Sequence, residues 1–388
     1  MHKHLDSDRI WELNKQSDWS EKILPLRRQA ELKNLWLKKR IDTILPEIMN
    51  RENIDMWLVI AREYNEDPVI MSMLPAPMMT ARRRTILVFY KKPDGEIERI
   101  CISRPGTGLD AIYQEVWTNP AGSKWAPLSE MMPGNQSPEQ NLLAKSETQW
   151  ECLARIIRER DPQSIGINVS ETFAFADGLT HSEYGQLTQA LDETYKNRLL
   201  NAERLAIGWM ERRLPEEIAA YDGVVQIAHG IISEAFSSRV THPGVTRNSD
   251  LVWWMHQRIN RLGLTSWFPF EVSIFRQGVD KVGDDEIIMP GDVLHCDVGL
   301  HYLGLATDTQ ENAYVLKRDE VEAPEGIRNV QKQGNVLQDY LAAEYVAGRT
   351  GNEVLAKALS AAKAGGLIPS IYVRYAGRCA WPGRLPAF

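Results

Sequence analysis

Met289-Pro-Gly-Asp-Val-Leu-His-Cys-Asp-Val-Gly-Leu-His-Tyr-Leu-Gly-Leu-Ala-Thr-Asp-Thr-Gln-Glu-Asn-Ala-Tyr-Val-Leu316 is the stretch on which the reading of this 388-residue chain turns. Pro290-Gly291-Asp292 is a turn signal, and Val293 to Val298 then alternates as a strand does. Side chains of a strand repeat every second residue, so Leu294, Cys296 and Val298 share one face and Val293, His295 and Asp297 the other. A break at Gly299 to Gly304 precedes a second expected strand, Leu305 to Leu316. Folded as a hairpin, the two strands set Asp297 beside Asp308. Two carboxylates held together repel unless a cation lies between them, which points to a divalent metal with oxygen ligands. The same spacing also suits solvated turn aspartates, the commoner arrangement around a glycine turn.

Upstream of the hairpin, Trp267 to Phe275 is an aromatic and β-branched run expected as a strand. Before it, Ser249 is expected to cap a helix with Leu251, Met255, Ile259 and Leu262 on its apolar face, closed by Gly263. Thr241-His-Pro-Gly-Val-Thr246 separates that helix from an earlier one, and His242 reads as a plain turn residue. The earlier helix opens at Leu214-Pro-Glu-Glu-Ile218. Pro215 suits the first helical position, Glu216 and Glu217 suit the positive end of the dipole, and Ile218, Tyr221, Val225, Ala228, Ile232 and Ala235 form one face.

The first half of the chain mixes strands and helices. A helix is expected over 23–50, with Pro25 in its first turn, and short apolar strands at Asp55–Ala61, Arg84–Tyr90, Ile97–Ser103 and Ile165–Val169. Helices are expected at Thr148–Arg160 and at Glu183–Ala206. Met71 to Met79, rich in methionine and proline, reads as an adaptable loop over an apolar surface. Arg82-Arg83-Arg84 could hold a carboxylate or a phosphate, but a charge run is more often a solvated face, and that is the reading adopted. Arg104-Pro-Gly-Thr-Gly108 lacks the ending of a phosphate loop and reads as a turn.

Downstream, a helix within 324–347 is expected to turn Ile327, Val330, Leu337 and Leu341 inward. Asn352 is expected to cap a further helix that stops at Gly365-Gly366.

The series Pro-Glu-Glu-Ile, helix, Pro-Gly-Val-Thr, helix, strand, Pro-Gly-Asp, then Asp297-Val-Gly, Tyr302-Leu-Gly and Asp308-Thr resembles a known catalytic domain. It is that of the creatinase/aminopeptidase P/methionine aminopeptidase family, the pita-bread metallopeptidases, nearest the Xaa-Pro aminopeptidase and prolidase branch. The resemblance covers roughly 213–366. It implies an α/β (α+β) chain with an auxiliary domain at 1–205 and a pita-bread domain at 206–388, divided near Ala202 to Leu214. It further implies a hydrolase of N-terminal peptide bonds, in particular before proline, with two Mn, Co or Zn ions. Asp297 would bind one ion and Asp308 would bridge both, and the ions would activate a water and stabilise the oxyanion.

The chain also departs from that pattern. The family's later metal-binding His and two Glu residues have no counterpart, and residues 373–388 contain no His, Asp or Glu. Two carboxylates are too few for a two-ion centre. His295 and His301 are candidate substitutes, although a strand histidine beside an aspartate is more often its hydrogen-bonded neighbour. Residues 271–288 contain no histidine to face substrate. Two functional readings therefore stand: a metal-dependent aminopeptidase, or a catalytically inactive truncated or frameshifted relative acting as a binding or dimerisation module. The arginine, glycine, proline and tryptophan of 373–388 are expected from a gene read out of frame. An unpaired sheet edge left by missing strands makes a homodimer the expected assembly.

Composition restricts the remaining classes. With 43% hydrophobic and 25% charged residues the chain is an ordinary globular protein. Its net charge of -7 argues against nucleic acid or an anionic membrane as the main partner. No apolar leader and no long apolar run is present. Cys101, Cys152, Cys296 and Cys379 are scattered and read as reduced thiols of a cytoplasmic protein.

Overall fold

A computed structural model describes residues 19–371, apart from 77, 79, 105–107 and 118–146. The expected turn at 104–108, the end of the loop at 71–79, and the tail at 373–388 with Cys379 fall wholly or partly outside the described residues. By internal contacts the chain divides into two compact units, one at Leu24–Tyr221 and one formed by the described residues before 24 and after 221. The division thus falls inside a helix.

The unit at Leu24–Tyr221 begins with α1 (Leu26–Arg51), which starts just after Pro25 and keeps Pro46 within it. Strand β1 (Met56–Arg62) follows, then the short helix α2 (Pro68–Met73), capped by Asp67. Strands β2 (Arg84–Lys91), β3 (Ile97–Ile102) and β4 (Gln114–Glu115) come next, then α3 (Gln149–Arg160) and β5 (Ile165–Ile167). With β6 (Leu199–Asn201) the strands form one sheet in the order β4-β3-β2-β1-β5-β6, antiparallel from β1 to β3 and parallel from β1 through β5 to β6. Met56, Leu58, Ile60, Ile86, Val88, Ile100 and Ile102 bury one face against Cys152, Leu153, Ile156 and Ile157 of α3. Each such side chain contributes about 1.5–3 kcal/mol by leaving water. β1 is buried on both faces, and this explains its uninterrupted apolar run.

One expected helix is broken up. In place of a single helix over 183–206 the chain forms α4 (His181–Ala190), α5 (Glu193–Lys196), β6 (Leu199–Asn201) and α6 (Glu203–Glu211). Asp192 caps a fresh turn through Tyr195 N, and Leu199–Asn201 pairs with β5. Sheet pairing overrides local helical preference there.

Helix α7 (Pro215–Phe236) leads into the second unit, where a 3₁₀ turn at Trp19–Lys22 also packs. The Trp19 ring lies beneath the Arg258 guanidinium and fills the space beside Gly230. Helix α8 (Asn248–Arg261) buries Leu251, Met255 and Ile259 as expected, but it is Asp250 that accepts the amide of the N-cap residue Arg247, and Ser249 instead donates to Asp285. The expected strand 267–275 divides into β7 (Thr265–Ser266) and β8 (Glu271–Phe275). The hairpin likewise divides, into β9 (Val293–Val298), β10 (Leu300–Tyr302), β11 (Leu305–Ala306) and β12 (Thr309–Tyr314). Its root, β9 and β12, joins β8; its tip, β10 and β11, joins β7. The tip turns through Leu303 and Gly304, both at positive φ, as a two-residue hairpin requires.

Helices α9 (Glu325–Glu344) and α10 (Gly351–Ala364) pack on each other. Thr350 and Glu353 form the capping box of α10, a role the sequence reading assigned to Asn352. The expectation of a buried stripe on α9 is corrected: none of its residues is buried, and Val330 is 69% exposed. No helix of the described residues is long and apolar enough to cross a membrane.

Candidate functional site

The alternation read in Val293–Val298 is borne out by burial. Leu294, Cys296 and Val298 are buried, while Val293, His295 and Asp297 are half-buried. The buried face meets Val272 and Ile274 of β8, and burial pushes the Cys296 thiol up to about 12. The other face carries the polar residues in cross-strand rows. Glu271, Asp297 and Gln310 form one row, Ser273, His295 and Asn312 the next, and Phe275, Val293 and Tyr314 the third.

Asp308 stands one residue before β12 and two before Gln310, the residue directly opposite Asp297. It is exposed. Its position is set by Thr307, which is 1% exposed and accepts the Trp267 indole N–H on its carbonyl at 2.7 Å. The Thr307 amide bonds Leu300 O at 2.9 Å, and the Leu300 amide bonds Thr307 Oγ1 at 3.1 Å. Gly299 leaves the room this cross-link needs: a Cβ there would overlap Phe268 and Trp267.

Asp292, of the Pro-Gly-Asp turn, is structural. Its carboxylate receives a two-pronged bond from Arg276 at 2.8 Å on each oxygen, and the Met289 amide at 2.7 Å. That pairing raises Arg276 above the usual guanidinium range.

A cavity of about 780 Å³ opens on the same sheet face. Glu271, Ser273 and Phe275 of β8 line it with Val293, Tyr314 and Ile327. It therefore adjoins the Asp297 row through Glu271, and its size is that of a small-ligand site. The sequence reading missed Glu271 because only cross-strand register brings it to Asp297.

The donors near Asp297 are already engaged. Asp297 Oδ2 already accepts the Gln310 side-chain amide at 3.1 Å, and His295 Nδ1 is bonded to Asn312 Oδ1 at 2.9 Å. His301 lies in β10, within the other small sheet. Among the described residues no three of His, Cys, Asp and Glu are grouped to hold an ion. Each ion of a pair wants several ligands. The described residues do not fit a two-ion group, and neither histidine completes one.

Comparison with known proteins decides the fold. The X-Pro aminopeptidase from Thermotoga maritima MSB8 superposes with a TM-score of 0.55 over 82% of this chain and 78% of its own, at 12% identity. The chain has the fold of that aminopeptidase. Weaker likenesses are to an Xaa-Pro dipeptidase from Bacillus anthracis (TM-score 0.49, 16% identity, 87% and 78% covered) and to a prolidase from Pyrococcus furiosus (0.47, 13%, 83% and 78%). No family model matches the sequence, and no curated protein sequence matches it. The pita-bread architecture expected from the hairpin and its preceding helices is thus the observed one.

Proposed function

We propose that this chain is a peptidase-type domain that receives the N-terminal end of a peptide in the 780 Å³ cavity, with Asp297 and Asp308 directed at a divalent cation. One observation supports the reading: Glu271, directly opposite Asp297 in the ladder, lines that cavity, and Asp308 immediately precedes the strand that pairs with β9, in a fold shared with an X-Pro aminopeptidase. The chain's own residues do the positioning. Gln310 orients the Asp297 carboxylate, Thr307 fixes the backbone before Asp308, and Phe275 and Tyr314 give the cavity its apolar wall.

The absence of a third donor among the described residues favours the second reading, a module that binds peptide without cleaving it. Two measurements on the full chain separate them. Manganese titration of the wild type and of Asp297→Asn and Asp308→Asn reads the cation site: loss of binding in both variants supports it, and unchanged binding removes it. Incubation with an Xaa-Pro peptide and manganese reads hydrolysis. Saturable peptide binding with no cleavage establishes the module, whereas turnover abolished by either variant establishes the peptidase.

A further inference from the structure

Of the arginines read as a solvated face, Arg84 is held within the fold while Arg82 and Arg83 stay exposed. Register pairs Arg62, the last residue of β1, directly with Arg84, the first of β2. Like charges opposite each other destabilise a sheet unless compensated. Glu183 of α4, 1% exposed, supplies the compensation, reaching Arg62 Nε at 3.1 Å and Arg84 Nε at 2.9 Å. Arg62 also donates to Ser182 and Arg84 to Gln186, and the Arg84 guanidinium lies 4.8 Å from the Trp150 ring. These two cations are fixed.

Arg82 and Arg83 are held differently. Glu63 is their carboxylate neighbour, but its Oε2 already accepts the Arg83 backbone amide at 3.1 Å. The guanidinium nitrogens of Arg82 and Arg83 stand 3.7 and 3.5 Å from it, at or beyond hydrogen-bond length, with side chains 46% and 55% exposed. All four arginines, with Arg104, line a cavity of about 500 Å³. Arg62, Arg82, Arg83 and Arg84 face the two carboxylates Glu63 and Glu183, an excess of two positive charges. Two residues of this rim hold non-glycine left-handed backbone, Tyr64 at φ 74° and Arg83 at φ 57°. Tyr64 sits in the tight turn closed by the Asn65 amide on Arg62 O at 3.0 Å, which leaves its ring 87% exposed at the cavity rim.

We infer that this cavity binds the phosphoryl group of a small phosphorylated molecule. A phosphoryl dianion offers three oxygens to several guanidinium forks and offsets most of the excess charge, which a single carboxylate does not. Arg62 and Arg84 form the fixed floor, and Arg82 and Arg83 are the arms whose bonds remain to be made. Tyr64 and Trp117 line the same cavity and offer flat surfaces to the body of the ligand.

Calorimetric titration of the full chain with pyrophosphate, at constant ionic strength, tests this. Saturable binding is expected, weakened by about tenfold or more in Arg82→Gln/Arg83→Gln, the scale of losing charge-assisted hydrogen bonds. These exposed side chains leave the Glu183 pairings intact, so the variant's melting curve should match the wild type and exclude misfolding. Absence of saturable heat, or equal affinity in the double variant, overturns the site. Succinate binding as tightly as pyrophosphate overturns the phosphoryl assignment.

Discussion

Gln310 donates its side-chain amide to Asp297 Oδ2 across the β9–β12 ladder at 3.1 Å, in a position directly opposite the aspartate. A glutamine there satisfies one carboxylate oxygen without adding charge. Replacing it by Glu would place a third carboxylate in the Glu271–Asp297 row. Without metal, Gln310→Glu should lower the melting temperature, because like charges would face each other. With manganese it should bind the ion about tenfold or more tightly than wild type, since a further anionic oxygen joins the set. A thermal melt with and without manganese reads both, and equal melts in all four conditions would refute the cation site.

Arg40 is buried against Trp209, 4.5 Å from its ring, and donates to Glu217 at 2.9 Å and to Arg212 O at 2.6 Å. Glu217 is itself 7% exposed and accepts the Leu214 amide at 2.7 Å. Arg40→Ala strands that carboxylate, so a loss of about 3–5 kcal/mol is expected in urea unfolding. The double variant Arg40→Met/Glu217→Gln should recover part of it, as removing both charges removes the uncompensated burial.

Much of this was legible from the chain. The two-residue alternation of Val293–Val298 set the face of Asp297 correctly, because one side of β9 is buried and the other is not. Pro215 and the glutamates after it marked α7 for the same local reason. Non-local pairing hid the rest. Nothing in Leu199–Asn201 announces a strand until β5 lies beside it, and nothing in Arg62 or Arg84 announces that register makes them neighbours. Glu271 meets Asp297 by the same kind of pairing.

Gly299 follows the Asp297-Val298 pair where the chain passes from one small sheet to the other. Gly299→Ala must displace Phe268 and Trp267, and with Trp267 the bond to Thr307 beside Asp308. The expected result is a loss of about 1–3 kcal/mol, an overpacking cost, with manganese binding reduced beyond what stability explains. Alanine behaving as wild type in both would show that the passage does not position Asp308.

His256 on α8 stacks on Phe270 with centroids 4.2 Å apart, and its Nε2 faces the Phe270 amide. Desolvation lowers its pKa. A lowered folded value means that the unfolded chain binds the proton more readily. The associated stability is present above the ordinary imidazole pKa and is lost as pH falls through the folded value. Melting temperatures of wild type should drop on acidification from pH 7 to 5 more steeply than those of His256→Gln, and parallel profiles would remove His256 as the cause.

Helix α9 spans twenty residues, yet none is buried, and its partner is α10. Its hydrogen bonds therefore have little of the apolar cover that protects those of β1 or β2. In deuterated solvent its amides should exchange by a local opening that leaves the sheet protons untouched. The α9–α10 pair would then open as a cooperative unit of its own, unravelling and reforming while the strands carrying Asp297 stay paired.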